Sequence, residues 1–76
     1  MIYLIEAFDK KTEFLAFEEE LPPGSDEKLK EIMGWVTEQQ GWEGYNLNLQ
    51  QLGALQELLG KTIYDPAYTF QLTCNA

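Results

Sequence analysis

A chain of 76 residues, 45% hydrophobic and 13% aromatic, carries 13 acidic residues against five lysines, with no histidine and one cysteine. The net charge of −8 repels phosphate backbones and anionic headgroups, which argues against direct nucleic-acid or membrane binding and favours a basic protein partner. A single thiol without histidine excludes an internal disulfide and a Cys/His metal centre, leaving packing, a partner or self-association to stabilise so small a domain.

The predicted elements begin with "MIYLIEAF" (Met1–Phe8), an apolar run broken only by Glu6 and suited to a central strand. "DKKT" (Asp9–Thr12) is a polar turn, and "EFLAFEE" (Glu13–Glu19) returns as the second strand of a hairpin. The chain then runs through Glu18, Glu19 and Glu20 into "LPPGS" (Leu21–Ser25), where proline ends the ladder.

Ser25 stands as an N-cap before Asp26 and Glu27, whose charges suit the positive end of a helix dipole. Leu29, Ile32, Met33 and Val36 form an amphipathic stripe, ending either near Met33, ahead of Gly34, or at Gly41. "GWEGYNLN" (Gly41–Asn48) reads as an aromatic connection. Asn48 with Gln51 makes a capping box, and Leu47 with Leu52 a hydrophobic staple, for a second helix over Leu49–Leu59 closed by Gly60. Gly53 inside it marks either a close backbone approach or a tolerated defect.

Asp65-Pro66 is a turn, with a short extra strand expected at Thr62–Tyr64. "YTFQLTC" (Tyr68–Cys74) then alternates, with Tyr68, Phe70, Leu72 and Cys74 facing the core. The expectation is one α+β domain over residues 1–76: a two-layer ββααβ arrangement with two helices on one face of an antiparallel sheet ordered 2-1-3.

Catalytic chemistry finds few footholds. No Ser-His or Cys-His pair can form, no glycine-rich phosphate loop occurs, and Cys74 has no basic neighbour. The carboxylates at Glu18–Glu20, Asp26, Glu27 and Glu31 lack the calcium-loop spacing and read as a solvated face. No enzyme activity, cofactor or metal is expected. Trp35, Trp42 and Tyr45, with Glu38 and Glu43 among them, could pack over the core edge or offer anchors and charge to a lysine- and arginine-rich surface. The candidate partner-binding set is Trp42, Glu43, Tyr45, Glu38, Glu18, Glu19 and Glu20. The glutamate block either blunts the hairpin edge or helps form an acidic docking surface.

"FDKKTEFLAFE" (Phe8–Glu18) resembles the start of the cloacin-type bacteriocin immunity proteins, small acidic proteins that open with two strands about a similar turn. The whole chain also resembles short uncharacterised bacterial proteins with an "EAFDK-T" start (Glu6–Thr12), a "W-GY-L" centre (Trp42–Leu47) and a "YDP-Y-FQL" end (Tyr64–Leu72). The first resemblance implies a role: an immunity or antitoxin-like inhibitor that docks on a basic toxin, such as a nuclease, by charge complementarity. The alternative is a non-enzymatic homo-oligomeric structural or regulatory subunit, a homodimer in its simplest form. "MIYLIEAFDKK" lacks the basic leading region of a signal peptide, so a cytoplasmic location is expected.

Overall fold

A polar turn with an aspartate at its head organises the first hairpin. The computed structural model, which describes residues 1–37 and 39–75, pairs β1 (Ile2–Asp9) with β2 (Leu15–Glu20) in antiparallel fashion. The Asp9 carboxylate accepts hydrogen bonds from the backbone N–H groups of Lys11 at 2.7 Å and Thr12 at 3.0 Å. Those bonds, Thr12's foremost, hold the Asp9 carboxyl below its ordinary range. Glu13 completes the turn at φ 66°, a left-handed conformation that a side chain makes costly. A register shift between Ala7 and Phe8 skips Ala16, a bulge that twists the outer strand.

The first helix, α1 (Asp26–Met33), is short because Gly34 leaves it at φ 70° and donates its N–H to the Lys30 carbonyl. Of the two expected ends, the one near Met33 is therefore the observed one. Val36 drops out of the apolar stripe and is 96% exposed. Ser25 occupies the cap position without capping. Its backbone is already helical, so the hydroxyl cannot reach the first-turn amides; it donates instead to the Pro22 carbonyl at 2.6 Å.

The connection after α1 supplies a strand that the sequence reading omitted: β3 (Gly44–Asn46). It precedes α2 (Leu49–Leu59), which opens with the expected capping box: Asn48 Oδ1 accepts from the Gln51 N–H at 2.7 Å and Gln51 Oε1 from the Asn48 N–H at 3.0 Å. β4 (Tyr68–Asn75) closes the chain. No strand forms at Thr62–Tyr64, because Gln56 Oε1 takes the N–H groups of Ile63 at 2.8 Å and Tyr64 at 2.7 Å out of ladder pairing.

The sheet is antiparallel with order β2-β1-β4-β3. The last strand does lie beside the first, but the expected 2-1-3 order and ββααβ arrangement are corrected to 2-1-4-3 and ββαβαβ. The physical reason is that β4 has a second side to satisfy: the Cys74 N–H donates to the Glu43 carbonyl, and the Leu47 N–H to that of Phe70, each at 2.9 Å. One sheet face supplies Tyr3, Ile5 and Ala7 from β1 and Phe70, Leu72 and Cys74 from β4. Leu21, Leu29, Leu52 and Leu55 complete this buried core. Each fully buried aliphatic side chain contributes about 1.5–3 kcal/mol. No helix among the described residues is long and apolar enough to cross a membrane.

Candidate functional site

The glutamate block is split by the period of the strand. Residues of β2 alternate between faces, and the register sets Glu19 opposite Ile5 on the helix side, with Glu18 opposite Glu6 and Glu20 opposite Leu4 on the other. Glu19 is partly shielded there and pairs with Lys61 at 2.8 Å, just beyond α2. Such a part-exposed pair contributes below about 1 kcal/mol. Glu18 and Glu20 remain exposed.

The face away from the helices holds no buried residue among Ile2, Leu4, Glu6, Phe8, Glu18 and Glu20. Glu6 and Glu18 lie directly opposite one another. The Leu21 N–H bonds the Tyr3 carbonyl, so by alternation Glu6–Glu18 is a non-hydrogen-bonded pair, the closer of the two antiparallel spacings. Like charges so placed repel. Lys28 pairs with Glu31, Lys30 with Glu27 and Lys61 with Glu19, while Lys10 lies by Phe8 and Gln71 at the turn end of this face. Among the described residues no ion pair reaches Glu6, Glu18 or Glu20.

The aromatic candidates occupy the opposite edge. Three strand spacings, about 14 Å, separate β2 from β3, so Glu18 and Glu20 do not form one patch with Trp42 and Tyr45. The aromatic group itself divides. Trp35 is half-buried between Tyr3 at 6.3 Å and Tyr45 at 5.2 Å between ring centroids. Tyr45 donates its hydroxyl to Gln39 Oε1; burial first, then the nearby Glu43 charge, pushes its phenol up. Trp42 stays 77% exposed.

Glu43 turns its carboxylate onto its own loop. It accepts from the N–H groups of Gln40 at 2.8 Å, Gly41 at 3.0 Å and Trp42 at 3.2 Å. The Gln40 bond leads in holding the Glu43 carboxyl below its ordinary range. This carboxylate braces a loop rather than projecting toward a partner. Glu38 lies outside the described residues. Glu6 was missed as a site residue because it breaks an otherwise apolar run; its period-2 partnership with Leu4 and Phe8 was the available signal.

Cys74 is buried, and desolvation, followed by the Glu43 charge, raises its thiol to about 11, so it stays protonated at neutral pH. Among the described residues no three carboxylates or thiols converge on a position that could hold a metal ion. Open depressions beside Tyr3, Asp26 and Trp35 and beside Asn48, Leu49 and Tyr64 measure about 200 and 520 Å³, the larger within the size range of small-molecule sites.

Residues 2–73 match a family described as a domain of unknown function (DUF7683). The chain belongs to that family. The match spans the length over which the chain resembles short uncharacterised bacterial proteins, and it carries no immunity label. Comparison with curated proteins and with solved structures gave no match.

Proposed function

We propose that this member of the DUF7683 family is a non-catalytic, cytoplasmic binding module whose acidic sheet face docks on a basic protein, in the manner of an immunity or antitoxin-like inhibitor of a cationic bacterial toxin. The observation that carries the reading is the trio Glu6, Glu18 and Glu20, without an ion pair among the described residues and set among Ile2, Leu4 and Phe8 on the uncovered face. Placing Glu6 opposite Glu18 lowers stability, and a lysine- or arginine-rich partner relieves that cost while the apolar residues supply contact area. The high thiol pKa of Cys74 and the absence of histidine from the sequence favour binding over nucleophilic or general-base chemistry. The N-terminal resemblance at Phe8–Glu18 supports the inhibitor role, and a basic nuclease is the chemistry it suggests.

The test is association kinetics with a panel of purified cationic bacterial nuclease domains, from about 0.05 M to about 0.5 M salt. The expected result is binding to at least one member, with an on-rate that falls about tenfold or more across that range and an affinity lost in the combined Glu6→Gln, Glu18→Gln, Glu20→Gln variant. Binding that ignores both salt and the triple variant, or no binding to any cationic domain, overturns the reading.

A further inference from the structure

The two edges of the sheet are finished differently, and the difference assigns the second edge an occupant. On β2 the outward backbone groups belong to residues such as Glu18 and Glu20, whose exposed carboxylates discourage another strand. On β3 the bonds Cys74 N–H to Glu43 O and Phe70 O from Leu47 N–H bracket the Tyr45–Leu72 pair. Alternation then turns the N–H and C=O groups of Gly44 and Asn46 away from the sheet. Both residues are exposed. No charge, proline or bulge protects this edge, and the chain from Gly44 to Gln56 carries no charged residue at all.

We propose that β3 pairs with β3 of a second copy of this chain, joining two sheets into one eight-stranded antiparallel sheet about a two-fold axis at Tyr45. In that register Gly44 and Asn46 of opposite copies exchange both N–H···O bonds, so all four outward amides are satisfied symmetrically. The same register brings Trp42 of one copy opposite Asn48 of the other. There a groove of about 520 Å³, lined in part by Asn48, Leu49 and Tyr64, opens at the start of α2. Trp42 at 77% and Leu49 at 68% exposure are two of the large apolar side chains this chain leaves in water, and the pairing covers both.

Charge also favours a second copy over a basic partner here. Among the described residues the carboxylate next to β3, that of Glu43, is spent on its own loop, and Lys10 lines the neighbouring groove, so this edge offers a cation little to pair with. In the joined sheet the two acidic β2 edges lie at opposite ends, seven strand spacings or about 34 Å apart, several times the roughly 8 Å screening length at physiological ionic strength. Self-association through β3 therefore keeps the Glu18–Glu20 blocks of two chains of charge −8 well beyond the screening length. It is independent of the toxin reading, which uses the open face of β1 and β2.

Sedimentation velocity of the full chain over a concentration series, read beside amide hydrogen exchange, tests this. The expected result is a shift from 8.8 kDa to twice that mass, unweakened or strengthened by raising salt, with Gly44 and Asn46 amides gaining protection as the dimer fills. Asn46→Lys, a charge on the edge, and Trp42→Ala should each raise the dimer dissociation constant at least tenfold while circular dichroism stays unchanged. Glu18→Gln should leave it where it is. If Asn46→Lys does not fold, Trp42→Ala and the exchange of the parent amides still decide. A mass that stays at the monomer value throughout, or a dimer in which these amides exchange freely and Trp42→Ala has no effect, overturns the proposal.

Discussion

On one face of the sheet Tyr3, Ile5 and Ala7 of β1 disappear into the core beneath the helices; on the other, Leu4, Glu6 and Phe8 of the same strand stay partly in water. The two sets alternate along a single strand, so backbone and local composition are shared and only the covering layer differs. The buried set is explained by its own packing. The open set combines apolar side chains with directly opposed like charge, an arrangement that lowers stability and that a basic partner, as proposed, would offset. Function is therefore argued from the face that folding does not need.

The largest expected contrast is mutational. Phe70, 5% exposed, packs among Phe17, Tyr64 and Tyr68 at ring-centroid distances of 6.3–6.4 Å. Phe70→Ala should cost about 3–5 kcal/mol in denaturant unfolding, most of the stability of so small a domain. Phe8→Ala, on the open face, should cost below about 1.5 kcal/mol. Equal losses would mean that the open face is as structural as the core.

A parallel contrast separates the two tryptophans. Trp35 makes two aromatic contacts, each worth about 0.5–1.5 kcal/mol beyond its burial, so Trp35→Ala should lower stability by about 1–3 kcal/mol. Trp42→Ala should change it by no more than about 0.5 kcal/mol at concentrations where the chain is monomeric. Thermal melts of the dilute variants check both.

Much of this architecture was legible in the sequence, and what escaped did so for physical reasons. The Asp9-headed turn, the Asn48–Gln51 capping box and the alternation of Tyr68 to Cys74 are local patterns whose partners lie within a few residues. β3 has no such pattern. Three residues, Gly44-Tyr45-Asn46, become a strand only because distant β4 has free backbone groups to pair. The end of α1 lay between two readings because Gly34 can either interrupt a helix or finish it. At the candidate site, Glu18 and Glu20 were legible as exposed acids. The diversion of Glu19 to Lys61 depends on where the chain runs after α2, and that of Glu43 to its own loop on backbone conformation.

A smaller effect concerns acid. The Tyr3 hydroxyl donates to Asp26 Oδ1 at 2.7 Å, and this bond leads in holding the Asp26 carboxyl below its ordinary value of 3.8. A carboxyl whose folded pKa is depressed contributes stability that is fully present above the unfolded value. That contribution is lost as pH falls through the folded value. Tyr3→Phe should therefore lower stability at neutral pH and flatten the acid limb of the stability–pH curve below about pH 4. An unchanged acid limb would assign that region to other carboxyls, Asp9 among them.

A small expected stability change of opposite sign is the most informative for function. Glu18 faces Glu6 across the β1–β2 ladder, with no ion pair to either among the described residues, and directly opposed like charges cost about 0.2–1 kcal/mol. Glu18→Gln keeps the shape and removes the repulsion, so the variant should be more stable by about that amount, most visibly at low salt. If the open face is the docking surface, the same substitution should slow association with a cationic nuclease domain. Stability and binding then move in opposite directions, a signature that neither a solvated face nor a core residue produces. A gain in stability with unaltered binding would move the docking surface elsewhere. A loss of stability would show that Glu18 is held by an attraction, and the account of this face as unrelieved charge would fail.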